Sequence, residues 1–200
     1  VTNNKFKKLV QTISYLPHFL SVVVVVGMLS TFLSTDGVVN EVLGFFGMGP
    51  YRFLSEPKYF RSVYIASGIW QSAGWGSIIY LSALSAVEAE LYEAAQIDGA
   101  NRWKQMLHVT LPGIAPTITN MFILETGNIM NVSFQKILLM MTSSNQVVSD
   151  VISTYEYRVG IQEANFSYAT GVGLFKSLVA LIFVTTANFI SRRVGETSLW

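Results

Sequence analysis

Cysteine is absent from the 200 residues, histidine occurs twice, and charged side chains make up only 12% of the chain. Without cysteine there are no disulfides and no thiolate metal sites. His18 and His108 stand far apart with no ligand spacing around either, so a metal centre is not expected. A formal net charge of +1 leaves no basic excess, and no Lys/Arg stripe with interleaved aromatics appears, which excludes nucleic acid as a partner. No Gly-x-x-x-x-Gly-Lys-Ser/Thr phosphate loop is present. Gly47-Met48-Gly49 and Gly171-Val172-Gly173 are too short to cradle a nucleotide, so any ATP must be bound elsewhere.

What the chain has in quantity is apolar side chains: 51% hydrophobic residues and a mean hydropathy of +0.44, with far less charge than the about 25% of a soluble domain. Segments at approximately 12–33, 62–87, 114–131 and 168–190 approach the roughly 20 apolar residues that cross a bilayer core. They predict an all-α integral membrane domain over 1–200 with four transmembrane helices. The valines at 22–26 would favour a strand in water, but a lipid-exposed backbone must satisfy itself, and the long apolar run therefore reads as helix. Pro17 falls in the first turns of that span, where it costs little or kinks the helix. Lys5, Lys7 and Lys8 precede the first span, Arg102 and Lys104 lie between the second and third, and Arg192 and Arg193 follow the fourth. If the spans alternate, these clusters share one face. The opposite loops, about 34–61 and 132–167, carry Arg52, Lys58, Arg61, Lys136 and Arg158, but long loops translocate largely regardless of charge, so the face with the end clusters is cytoplasmic.

On that face, residues 93–112 form a polar island. Glu93 to Ile97 are mostly good helix formers, Gly99 permits a sharp turn, Asn101 can cap a second short helix, and Pro112 is expected to stop it. Glu93-Ala94-Ala95, then Gly99, then nine residues and Val109-Thr110-Leu111-Pro112 together resemble the signature loop of binding-protein-dependent ABC importer permeases. Only Val109, where those proteins usually have Ile, departs from the pattern. The resemblance implies a type I importer permease-like helical bundle. It also implies that 93–112 is the cytoplasmic coupling loop, with Glu93, Ala94, Ala95, Asp98, Gly99, Ala100, Leu111 and Pro112 meeting a partner ATPase. Glu93, at the start of its helix, and Asp98 would accept charge-assisted bonds there, and the alanines would permit close approach. A solvated loop is the alternative. The remaining parts implied are two ATP-binding subunits that hold ATP and Mg, a second, related permease subunit, an external substrate-binding protein and a bacterial inner-membrane location. This chain itself would have no cofactor and no enzymatic activity, and is expected to be the C-terminal portion of a longer subunit.

Tyr15-Leu16-Pro17-His18-Phe19-Leu20-Ser21, Phe134-Gln135-Lys136-Ile137-Leu138-Leu139 and Ser149 to Tyr155, with Tyr157-Arg158 beyond, resemble carbohydrate-type permeases. A sugar or oligosaccharide cargo follows from that resemblance; amino acids, peptides or metals remain the alternative. An intramembrane enzyme using Glu125 lacks a paired histidine or HExxH motif. In the third span Asn120, Asn131, Asn128 and Glu125 cover an arc of about 140° at 100° per residue, a candidate wall of the translocation path. Interhelical hydrogen bonding explains the three asparagines as well. In the second span Trp70, Gln71, Trp75 and Tyr80 could stack on sugar rings and bond hydroxyls, or pack in a core or interfacial belt. Glu125 and Lys176, counted from the cytoplasmic ends, lie at about 18 and 22 Å depth, which would allow an ion pair.

Overall fold

The computed structural model describes residues 4–195, with side chains through Arg193. Regular structure among them is helical: α1 Asn4–Tyr15, a 3-10 turn Leu16–Phe19, α2 Val22–Phe32, α3 Val38–Phe45, α4 Pro57–Ser85, α5 Ala89–Ile97, α6 Arg102–Gln105, a π turn Met106–Thr110, α7 Leu111–Asn128, α8 Phe134–Met140, α9 Gln146–Ser149, α10 Ile152–Tyr157, a second π turn Arg158–Gln162, and α11 Phe166–Gly195. Arg102–Asn128 and Phe166–Arg193 are long and apolar enough to cross a membrane, and a third span results if Asn4–Phe19 and Val22–Phe32 count as one.

That pair is bent by 101°, so the single helix expected at 12–33 is broken. Pro17 has no N–H to give to the preceding turn, Leu20 turns extended (ψ 134°), and Ser21 starts a new helix as its side chain accepts the Val24 N–H at 3.3 Å. The second expected span is one continuous helix of 29 residues, about 43 Å long, but it falls outside the strongly apolar class. Arg61, Gln71 and a run of serine, glycine, tryptophan and tyrosine dilute its aliphatics.

Two compact units share the chain. The first contains Val1–Trp75 and Asn131–Val172. Its core joins Val26, Phe60, Ile137 and Met140, with Val22, Leu29, Leu54 and Val63 packed around them. Two asparagines tie its irregular stretches. Asn40 Nδ2 donates to the Ser34 and Tyr51 carbonyls, both at 2.8 Å, and its Oδ1 accepts from Tyr51 N at 2.8 Å. Asn145 is fully buried: Nδ2 donates to Leu54 O at 2.8 Å and Met140 O at 3.0 Å, and Oδ1 accepts from Thr142 N and Ser149 Oγ. Lys136, counted above among the charges of the 132–167 loop, is 4% exposed, with Nζ over the Tyr64 ring at 5.6 Å. Burial pushes its ammonium below the usual lysine range. Asp150 binds Arg158 Nη2 and Thr154 Oγ1, each at 2.6 Å. Burial alone would raise the Asp150 pKa, but those two bonds outweigh it and hold the carboxyl below the ordinary range.

The second unit contains Gly76–Met130 and Gly173–Trp200. Ile114, Ile123 and Ala187 are buried in it. A Cβ at Gly127 would stand 2.7 Å from Val184, and one at Gly113 2.9 Å from Val87, so α7 sits tightly against both neighbours through its glycines.

Asn145→Ala strands the Leu54 and Met140 carbonyls and the Thr142 amide, and should destabilise the first unit by about 2–4 kcal/mol. Val147→Ala, at a 92% exposed position on the same short helix, should change nothing measurable; thermal unfolding of the purified subunit in detergent compares them. For Asp150 the folded carboxyl titrates below the unfolded one, so its stabilisation is complete at neutral pH and disappears as pH falls through the ordinary carboxylate range toward the folded value. Hydrogen exchange across 150–158, corrected for intrinsic rates, should therefore accelerate on acidification, and Asp150→Asn should remove that dependence.

Candidate coupling loop and transport path

Helix α5 ends in a left-handed closure. Its C-cap is Asp98, and Gly99 follows at φ +74°. The Gly99 N–H donates to Gln96 O at 3.0 Å and the Ala100 N–H to Ala95 O at 2.8 Å, the paired bonds of a Schellman motif. Left-handed backbone favours glycine over any residue with a Cβ. A Cβ at Gly99 would meet nothing within 4 Å inside this chain, so the conformation and not internal crowding demands glycine here.

The chain then reverses into α6. Asn101 caps it as its sequence position suggests, with the side chain accepting Lys104 N–H at 3.0 Å. Pro112 does not stop the helix, contrary to expectation: it occupies the first turn of α7, and Arg102–Asn128 continues past it as one helical stretch that includes a π turn. The π turn Met106–Thr110 widens the ladder just before the proline, at the point where its missing N–H would otherwise leave a carbonyl unpaired. Gln105 Nε2 donates to Ala100 O at 2.9 Å, and Tyr92 Oη meets Thr110 Oγ1 at 3.0 Å, so both arms of the reversal are fastened. Neither bond was legible in the signature pattern.

Glu93, Ala94, Asp98, Gly99, Leu111 and Pro112 are exposed, and Ala95 and Ala100 are half-buried. Glu93 sits in the middle of α5, not at its start; Glu90 holds the first-turn position that the helix dipole favours. Two residues that the sequence reasoning passed over complete the face: Ile97 is 87% and Trp103 71% exposed. Both are large apolar side chains uncovered at the tip of a polar reversal.

The path candidates fall in both units. In the first, Gln71 Nε2 donates to Leu20 O at 3.1 Å, and Trp75 stacks on His18, while Trp70 is exposed. Asn131 lies here too: α7 ends at Asn128 and Asn131 is in the link beyond, so it does not extend the polar arc of that helix. Gly127 and the neighbouring asparagines are poor helix formers, which agrees with the early end. In the second unit, Glu125 and Asn128 are exposed, Lys176 is half-buried, and Tyr80 is half-buried on the shared helix α4. Asn120 Oδ1 is buried without a hydrogen-bond partner among the described residues. Ion pairs among the described residues include Lys58–Glu56 and Arg158–Asp150. No group of three or more His, Asp or Glu among the described residues has metal-binding geometry.

The family model described as "binding-protein-dependent transport system inner membrane component" matches residues 1–196. The polygalacturonan/rhamnogalacturonan transport system permease protein YteP of Bacillus subtilis (strain 168) is 43% identical over 196 residues, covering 98% of this chain and 61% of that protein. Protein LplB of the same organism is 40% identical, covering 98% and 62%. The chain thus spans about three fifths of the length of these curated relatives. A solved structure described as a bacterial alginate ABC transporter in complex with alginate pentasaccharide-bound periplasmic protein aligns at a TM-score of 0.96 and 45% identity, over 100% of this chain and 69% of that one. With the glycine-closed reversal at 93–112 in place, the chain belongs to the binding-protein-dependent transport system inner membrane components.

Proposed function

We propose that the chain forms part of a permease subunit that carries a sugar or oligosaccharide across the bacterial inner membrane, driven by ATP hydrolysis on partner subunits. A substrate-loaded external binding protein docks on the outer segments, and two ATP-binding subunits close on Mg-ATP. Their motion reaches this chain through the reversal at Gly99, and the spans rock to open the cavity inward. A second, related permease subunit completes the wall of the path.

The observation that carries this reading is the exposed, internally braced turn of α5 and α6. Motion transmitted through a loop is lost if the loop deforms, and here the Schellman closure and the Tyr92–Thr110 and Gln105–Ala100 bonds resist deformation while Glu93, Asp98, Ile97 and Trp103 stay uncovered. A carbohydrate cargo is supported over amino acids or peptides by what similar proteins are named for: polygalacturonan and rhamnogalacturonan in one, alginate in another.

Gly99→Asp places a Cβ and a charge at a left-handed position, costing locally about 1 kcal/mol. It should lower ATPase association or substrate-stimulated hydrolysis while leaving membrane insertion intact; normal transport by this variant would refute a coupling role for the turn. At Glu93, reversal of charge should harm assembly more than neutralisation does. Co-purification of the ATPase with Glu93→Lys and Glu93→Gln measures this, and equal recovery would remove Glu93 from the docking contact.

A further inference from the structure

We propose that the broken first span builds an aromatic platform, His18, Phe19 and Trp75, on which one pyranose ring of the transported saccharide stacks. This rests on the carbohydrate reading above and adds a subsite to it. Irregular backbone at membrane depth is tolerated only where it is buried in protein or lines a watery cavity, and interrupted helices in transporters occur at substrate sites. The break at Leu16–Ser21 is such a place. His18 is ten residues beyond Lys8 and Trp75 ten residues before Ser85, the ends assigned to the cytoplasmic face. At 1.5 Å per residue both lie at most about 15 Å deep, half of a roughly 30 Å core.

The backbone of the break is satisfied by side chains, which leaves its rings free of that task. Gln71 takes the Leu20 carbonyl and Ser21 caps the Val24 amide. Gly74 is buried so close to Ser14 that any Cβ there would fall on the Ser14 backbone, so α4 touches α1 directly and delivers the next residue, Trp75, to the break. His18 lies flat on Trp75, centroids 4.5 Å apart and 2° from parallel. Phe19 meets Trp75 edge-on at 5.6 Å. Phe19 remains 69% and Trp75 45% exposed. Acyl chains are a poor covering for this cluster, because an exposed imidazole at that depth belongs toward the bundle interior or a watery cavity. A pyranose suits it: the C–H groups of one sugar face carry partial positive charge and match the negative face of an aromatic ring, and the sugar's edge hydroxyls can bond to imidazole nitrogen.

The test uses the complete transporter with its ATP-binding subunits, with galacturonate trisaccharide, maltotriose and trialanine as probes. Uptake of trialanine and of neither saccharide, in proteoliposomes with the binding protein, would overturn the carbohydrate reading and the platform with it. For a saccharide that is imported, equilibrium binding to the permease–ATPase complex in nanodiscs, without the binding protein, reads the subsite. Trp75→Phe keeps a ring and should stay within about twofold of the original Kd, whereas Trp75→Leu and Phe19→Leu should weaken binding about five- to tenfold. Should Trp75→Leu fail to assemble, Phe19→Leu, at the more exposed ring, decides. An unchanged Kd in the assembled Leu variants, or no binding by a complex that imports the saccharide, would overturn the platform and leave the carbohydrate reading standing.

Discussion

A backbone surrounded by hydrocarbon has no water to satisfy it, and the architecture of this chain depends on meeting that demand wherever a helix is interrupted. Each interruption has its own polar partner. Gln71 takes the Leu20 carbonyl at the break of the first span, and Ser21 caps the helix beyond it. Outside the spans the same device recurs on a larger scale: Asn40 serves three backbone groups, and Asn145 takes two carbonyls and an amide while bonding Ser149. Removing such a residue leaves buried backbone groups without partners, which costs more than the bond itself contributes.

These local solutions divide the labour between stiffness and contact. At the reversal between α5 and α6, hydrogen bonds close the backbone on itself, so its exposed side chains are not needed for the fold. The segment 132–167 behaves differently. Its polar residues, Lys136, Asn145, Ser149 and Thr154, are buried inside it, and the ion pair that reaches its surface, Asp150 with Arg158, braces α10. Charge that looks like a surface feature in the sequence is there part of the interior.

The packing indicates where movement is restricted. Gly74 against the Ser14 backbone and Gly127 against Val184 are helix–helix contacts with no room for a methyl group, and Gly113 fits as tightly against Val87 in the link between α4 and α5, which restricts sliding at these places. The bent α1–α2 pair and the π turns are interruptions where the ladder is already open, and angular change there breaks fewer bonds.

The membrane class, the helical content and the signature loop were legible from the sequence because they depend on composition and on spacing along a single chain. The turn at Gly99 and the cap at Asn101 belong to the same category: a left-handed residue and an N-cap are decided by neighbours a few residues away. The tertiary structure decided the rest. The Leu20 carbonyl at the break after Pro17 finds its donor in Gln71, 51 positions later, a partner that local patterning does not encode. The continuation of the helix through Pro112 depends on the π turn, and whether Glu125 and Lys176 meet depends on how two helices are rotated about their axes, which depth along each cannot tell. Lys136 is buried with its Nζ over the Tyr64 ring, a contact between segments some 70 residues apart that local patterning does not encode.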